Sequence, residues 1–362
     1  MRGDETMSDI AKFDKNFESA APAPGGVFHS VDEAPFALYG LSKDAAGYYR
    51  LPPALAADLN ENLAFLTRQT AGGLVRFRTN ATRLAVDARQ PKGNFVMAHM
   101  TLLGSFGFDA YSGEHFIASF PTDKGNGEAY CVEKPLFTDS CERDADGFFE
   151  VTLYLPLYGA FEDICISVPD GYEIRSSRAM FRNSKPVVFY GSSITQGGCA
   201  ATPGMAYTNI ISRGMNLRCL NLGFSGNAKG EPEMAAYIAS LDMAALVLDY
   251  DHNAPDAEHL WHTHAPFFEI IRAAKPNLPV VMASAIPCFI PGREQAARRE
   301  AIRATYERAV ACGDKNVYFL DGTKFFDEVS FDLCTVDGVH PNSMGMYRMA
   351  RGFMSVLQTL NL

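Results

Sequence analysis

The stretch Val187-Val188-Phe189-Tyr190-Gly191-Ser192-Ser193-Ile194-Thr195 decides how the chain is read. Four apolar residues make a run of strand length. A Gly-Ser-Ser turn follows, and then a threonine that can open a new element. A buried strand that stops at a small-residue turn presents the turn's side chains at its carboxyl edge, where open α/β sheets place their ligands. Ser193 is therefore a candidate nucleophile, on condition that a base and an oxyanion site lie elsewhere in the chain. Taken alone, such a turn is a plain connection in most proteins.

Outward from this stretch, strand-like and helical runs alternate. Strands are expected at 187–190, 219–222, 245–250, 280–283 and 317–320, with helices at about 206–216, 231–240, 257–274, 293–312 and 343–360. That rhythm implies a parallel sheet with helices on both faces. Pro287 and Pro291 mark a loop after the fourth strand. On the N-terminal side the runs are short and alternating, at 76–79, 84–86, 95–100, 150–157 and 163–168, with turn residues between them and no long helical periodicity from 70 to 180. They predict an all-β sandwich, jelly-roll-like. Residues 1 to about 40 read as an irregular arm. The pattern changes between Phe181 and Pro186, so two domains are expected, 1–183 and 184–362.

Composition narrows the function classes. The chain of 362 residues is 47% hydrophobic and 20% charged, which suits a folded globular protein. A net charge of −10 argues against nucleic acid and anionic membranes as partners, since both favour basic patches. The eight cysteines include no CxxC pair and read as buried reduced thiols. The first residues lack an apolar signal region and no run is long enough to span a membrane, so a cytoplasmic protein is expected.

The base is sought in Thr335-Val336-Asp337-Gly338-Val339-His340-Pro341-Asn342. A tight turn at Gly338 can fold the Asp337 carboxylate onto the His340 ring, fixing its tautomer while the other nitrogen faces a serine. A polar turn opening the last helix is the competing reading. Oxyanion donors are sought after the second and third strands. Gly226 in Gly223-Phe224-Ser225-Gly226 allows close backbone approach, and Asn253 in Asp251-His252-Asn253-Ala254 offers a side-chain N–H. Each is also an ordinary loop residue. Together, all four blocks lie at one edge of a parallel sheet.

In order and type these blocks resemble the SGNH (GDSL-type) hydrolases, whose blocks read Gly-Asp-Ser, Gly-x-Ser-Gly, Gly-x-Asn-Asp and Asp-x-x-His. The resemblance covers about 184–362. It implies a flavodoxin-like three-layer α/β/α domain. It further implies Ser193 as nucleophile, His340 as base, Asp337 as its orienting partner, and an oxyanion hole from Ser193 N–H, Gly226 N–H and Asn253. Ser192 departs from the usual aspartate, and Asp251 and Ala254 depart at the edges of the third block; neither removes a catalytic atom. Gly107-Phe108-Asp109-Ala110-Tyr111 resembles the GxDLY motif of a β-sandwich that precedes some SGNH domains, with Ala110 for the motif's leucine. A structural turn with a buried tyrosine is the preferred reading; the alternative is that Asp109 or Tyr111 faces the catalytic edge and shapes the substrate pocket.

His259, His262 and His264 surround Trp261 on an expected helix, but they lack a third ligand on one face, so no metal site is expected. Trp261 reads as core or pocket wall, and Arg298, Arg299, Arg303 and Arg308 as a solvated helix face. The resemblance implies a serine esterase needing no cofactor or metal. Its expected substrate is a small-molecule or oligosaccharide ester, with an acetyl or short acyl group on a sugar. Acyl transfer by the same triad, and a carbohydrate-binding protein with an inactive hydrolase domain, are the alternatives.

Overall fold

Five apolar runs of the C-terminal half pair side by side as a parallel sheet: β1 (Val187–Gly191), β2 (Cys219–Gly223), β3 (Ala245–Asp249), β4 (Val280–Ala283) and β5 (Val317–Leu320), in the order β2-β1-β3-β4-β5. The computed structural model describes residues 26–122, 125, 128–326 and 330–362. β1, β3 and β4 are buried along their whole length, as continuous apolar runs must be when helices cover both faces. Alternate residues separate onto the two faces. Val188, Tyr190, Leu246 and Leu248 pack with α3 (Pro232–Ser240), α4 (Ala257–Ala274) and α5 (Gln295–Ala311). Val187, Phe189, Val247 and Val281 pack with α2 (Tyr207–Met215) and α6 (Ser343–Leu357). A single-turn helix, α1 (Ser193–Gln196), directly follows β1.

Register decides where the site forms. Gly191 lies opposite Gly223 on one side and Asp249 on the other. The turns after β1, β2 and β3 therefore start from one row of the sheet. β1 also lies where the strand order reverses, which is the crevice position of doubly wound folds.

The N-terminal region holds two larger antiparallel sheets, beside a hairpin of Ser42–Asp44 and Gly47–Tyr49. One joins His29–Ser30, Asp163–Ser167, Arg83–Arg89 and Tyr130–Pro135. The other joins Ile174–Arg175, Leu74–Thr79, Phe149–Tyr154, Phe108–Ser112 and His115–Phe120, with Ala37–Tyr39 against Leu74–Thr79. Val75, Phe77, Val86, Phe108, Val151 and Ile164 fill the space between the sheets.

Several expectations need correction. The strand expected at 95–100 is irregular chain with Phe95 and Val96 half-exposed. Asn94 pins its start, bonding Gln90 and both backbone groups of Ala160, so no ladder partner reaches it. Helices at Pro53–Leu59 and Glu61–Leu66 lie where no helix was expected, joined by Asn60, whose side chain caps the second at the Leu63 amide. The arm expected over 1–40 lies outside the described residues up to 25, and beyond that it contributes two short strands. The eight cysteines are free, but Cys131 and Cys312 are exposed. Among the described residues no helix is long and apolar enough to cross a membrane.

Candidate active site

The turn after β1 is held by its own side chains. Ser192 is the N-cap of α1, and its hydroxyl accepts the Ile194 amide at 3.2 Å. Serine and aspartate cap equally well, so Ser192 meets the local need. Gly197 ends the turn at φ +113°, where glycine is favoured. Ser193 is the first residue of α1, so its backbone N–H has no acceptor inside the helix. Its carbonyl accepts the Gly198 amide at 2.8 Å and the Tyr158 hydroxyl at 3.2 Å. Thr195 Oγ1 donates to Asp249 Oδ2 at the end of β3, and the Tyr207 hydroxyl donates to the same oxygen. Burial pushes the Asp249 carboxyl up to about 7, against those two bonds.

The loop before α6 brings in the base. Gly338 turns at φ +81°, and Thr335 pairs with Pro341 across the loop. Asp337 Oδ1 accepts the Val339 and His340 amides at 3.0 and 2.7 Å, and Oδ2 lies 2.7 Å from His340 Nδ1. His340 Nε2 lies 2.9 Å from Ser193 Oγ. An Nδ1 facing a carboxylate carries the ring proton, which leaves Nε2 to accept from the serine hydroxyl. Partial burial pushes the Asp337 carboxyl up, but the His340 amide and ring and the Val339 amide outweigh it and hold the group below its ordinary value.

Gly226 and Asn253 also meet, and they are engaged with each other. Asn253 Oδ1 accepts the Gly226 N–H at 3.2 Å, and Asn253 Nδ2 donates to Phe224 O at 2.8 Å. Nδ2 keeps a second hydrogen. Gly226 takes φ +69°, the conformation that turns its N–H toward Asn253.

The third block is braced in a way its sequence does not advertise. Asp251 is buried. Its Oδ2 accepts the Ala285 amide at 2.7 Å, and its Oδ1 accepts from Arg298 at 2.8 Å and Arg293 at 3.2 Å. Arg298 also donates to the carbonyls of Asp251 and Ala254. The solvated-face reading of Arg298 is therefore wrong: it is 2% exposed, because a carboxylate and two carbonyls from another loop satisfy it. Beside it, burial first and then the Arg293 and Arg298 charges hold the His252 imidazole well below its ordinary value.

The β-sandwich side supports the same turns. Arg50 donates to the carbonyls of Gly223, Asn221, Gln69 and Leu66. Burial pulls its guanidinium down to about 9. Gln196 bonds Gln69, the Leu157 carbonyl and the Ser225 amide. Arg50 reaches 173 residues to Gly223 and Gln196 reaches 127 residues to Gln69, so no local pattern marks these pairs.

Asp109 and Tyr111 do not face the catalytic edge. Asp109 is fully buried. It accepts the Thr202 hydroxyl, and the Gly204 amide at 2.8 Å. Burial pushes its carboxyl up to about 6, against those bonds. Tyr111 is buried under the Arg213 guanidinium, 3.9 Å from the ring centroid. The alternative of substrate contact is corrected for both, and the structural turn with a buried tyrosine is what the fold holds: they tie the sandwich to the loop before α2 and to α2 itself. Trp261 is 50% exposed on α4, beside the buried stripe Leu260, His264, Phe267 and Ile271, and so is not core. His259 and His262 bond backbone carbonyls instead of converging on a metal position. His99, which sequence reasoning missed, lies with its ring centroid 5.5 Å from that of His340.

Residues 184–358 match the GDSL-like lipase/acylhydrolase family, and residues 27–174 match the N-terminus of SGNH-hydrolase-type esterases. No curated protein matches the chain in sequence. Among solved structures, a GDSL-like protein of Bacteroides ovatus ATCC 8483 is similar over 93% of this chain and 99% of its own, at 26% identity and a TM-score of 0.79. The salicylyl-acyltransferase SsfX3 of a tetracycline biosynthetic pathway shares the fold over 94% and 99%, at 20% identity and 0.72. A family two carbohydrate esterase from Clostridium thermocellum, in complex with cellohexaose, does so over 90% and 98%, at 14% and 0.58. The chain is an SGNH (GDSL-type) carboxylic ester hydrolase with a GxDLY-type N-terminal β domain.

Proposed function

We propose that Ser193, His340 and Asp337 are the catalytic triad of this hydrolase, and that its substrate is a short-chain acyl ester of a carbohydrate. The unbroken line Ser193 Oγ–His340 Nε2 and His340 Nδ1–Asp337 Oδ2 carries the reading. Ser193 Oγ attacks the ester carbonyl carbon while its proton passes to His340 Nε2. The oxyanion is received by the Ser193 N–H, the free hydrogen of Asn253 Nδ2, and the Gly226 N–H once it turns from Asn253 Oδ1. His340 then protonates the leaving alcohol oxygen, which departs and leaves an acyl-Ser193. Water gives a proton to His340 and attacks the acyl carbon; the bond from that carbon to Ser193 Oγ then breaks, His340 returns the proton to Ser193 Oγ, and the acid leaves. Asp337, held ionised, stabilises the imidazolium in both steps. The fold shared with carbohydrate esterases supports the sugar ester.

Acyl transfer is the second reading. Phe289, Ile290 and Val336 are exposed apolar residues beside the Asp337 turn, with the Phe289 amide bonded to Gly338 O. A surface of that kind favours an organic acceptor over water, and the fold is shared with an acyltransferase.

The test is a panel of acetylated sugars and p-nitrophenyl esters, with and without an alcohol acceptor. The expected outcome is acid release from acetylated sugars by the wild type, labelling of Ser193 by a fluorophosphonate, and loss of both in Ser193→Ala with the fold unchanged. Ester formation exceeding acid release in the presence of acceptor would establish transfer. Turnover retained in Ser193→Ala would overturn the triad.

A further inference from the structure

Three metal-binding side chains converge where the proposed reaction uses only one of them. His99 is exposed on the loop before the turn Leu102–Phe106 and lies against His340. Cys199 is buried, with φ +67°, a conformation uncommon for any residue but glycine. Its Sγ lies 3.5 Å from the His99 carbonyl oxygen. One ligand atom each from His99, Cys199 and His340 fall within 4.8 Å of one another. Around a tetrahedral Zn²⁺, with bonds of about 2.0–2.3 Å, ligand atoms stand roughly 3.5 Å apart. From separations of at most 4.8 Å the ligand atoms close by no more than about 1.3 Å, and the exposed His99 ring is free to rotate toward the other two. Two imidazoles and a thiolate are a donor set for zinc and related ions, with the fourth position left to water.

We propose that His99, Cys199 and His340 form a binding site for Zn²⁺ or a similarly thiophilic divalent ion, and that occupancy switches the hydrolase off reversibly. The site rests on this geometry; the inhibition rests also on the reading of His340 as the base. His340 has no idle nitrogen. Nδ1 faces Asp337 and Nε2 faces Ser193, so a metal that takes either one breaks the line. On binding, the Cys199 sulfur bonds the metal and its proton leaves to solvent. Without metal, burial and then the Asp337 charge hold the thiol up at about 12, so Cys199 is a neutral neighbour and not a rival nucleophile.

The experiment uses EDTA-stripped full-length protein. Co²⁺ is titrated into the wild type and into Ser193→Ala, and the thiolate-to-cobalt charge-transfer absorption is followed. Both should show a saturable band that Zn²⁺ displaces. Cys199→Ser should lose the band, and His99→Asn should need about tenfold more Co²⁺ or beyond. In parallel, ZnCl₂ should inhibit p-nitrophenyl acetate hydrolysis by the wild type, and EDTA should restore it. Cys199→Ser and His99→Asn should keep the basal rate and shift the inhibiting concentration upward by a similar factor. No band in the wild type, or an unchanged band in Cys199→Ser, overturns the site. A band without loss of hydrolysis overturns the switch. A protein that hydrolyses no ester defeats the proposed function, while the cobalt spectrum still decides the site.

Discussion

Ser192 and Asn253 show how single residues set the chemistry. Ser192 stands where the resembling enzymes carry aspartate, and its hydroxyl supplies the same cap to the Ile194 amide. The substitution removes a charge from the turn without loosening it. Asn253 has the opposite character, because its amide is divided between two tasks. Oδ1 and one hydrogen of Nδ2 hold the loop of Phe224 and Gly226, which leaves one hydrogen for an oxyanion. Asn253→Ala should therefore lower kcat on p-nitrophenyl acetate by roughly 10²–10³ with little change in KM. Asn253→Asp keeps the acceptor for the Gly226 amide but loses the N–H donor and sets a carboxylate beside the oxyanion, so its kcat should fall at least as far. A change confined to KM would assign Asn253 to substrate binding alone.

At the scale of elements, α5 carries arginines of two kinds. Arg308 pairs with Glu269 where both are more than half exposed, and such pairs add little stability. Arg298, on the same helix, is buried against Asp251. Removing one member of a buried pair leaves the other charge without compensation, at a cost of about 3–5 kcal/mol. Asp251→Asn strands Arg298 and, in part, Arg293, so its urea midpoint should fall by that equivalent, while Arg308→Ala should leave it nearly unchanged. Equal midpoints for the two variants would mean that solvent reaches Arg298 freely. This contrast also shows what was legible in the sequence. The five strands, the five longer helices after them, and the blocks around Ser193, Gly226, Asn253 and His340 were readable because each is a local pattern of apolar runs and turn residues. The burial of Arg298 was not, because its partner lies 47 residues away in sequence. The same holds for Arg50, which reaches 173 residues to the Gly223 carbonyl. At 95–100 the apolar run suggested a strand, but an apolar run is only half a strand: the other half is a neighbour to pair with, and Asn94 fixes the chain where none is available.

At the scale of the whole molecule, the β domain serves as a brace for the hydrolase turns, and Asp109 is the point of that brace with a pH dependence. It lies on the sandwich strand Phe108–Ser112 and grips Thr202 and Gly204, which precede α2. Its carboxyl titrates at about 6 in the folded protein, against an ordinary value of 3.8, because burial penalises the anion more than the two bonds favour it. Between those values the folded protein holds a proton that the unfolded chain has lost. Stability therefore falls as pH rises from about 4 to about 6 and levels above that, by an amount on the order of 3 kcal/mol for a shift of this size. Asp109→Asn cannot titrate. Its carbonyl oxygen still accepts the Gly204 amide, and the Thr202 hydroxyl can rotate to accept from the new amide nitrogen. Other groups, including Asp249 at about 7, tilt the stability of both proteins alike. The difference between the two melting curves consequently isolates Asp109. Asp109→Asn should gain on the wild type in Tm with each step from pH 4 to 6 and hold that gain at pH 7. Parallel Tm profiles would show that Asp109 is ionised in the fold across this range, and that its grip on Thr202 and Gly204 is stronger than its burial cost.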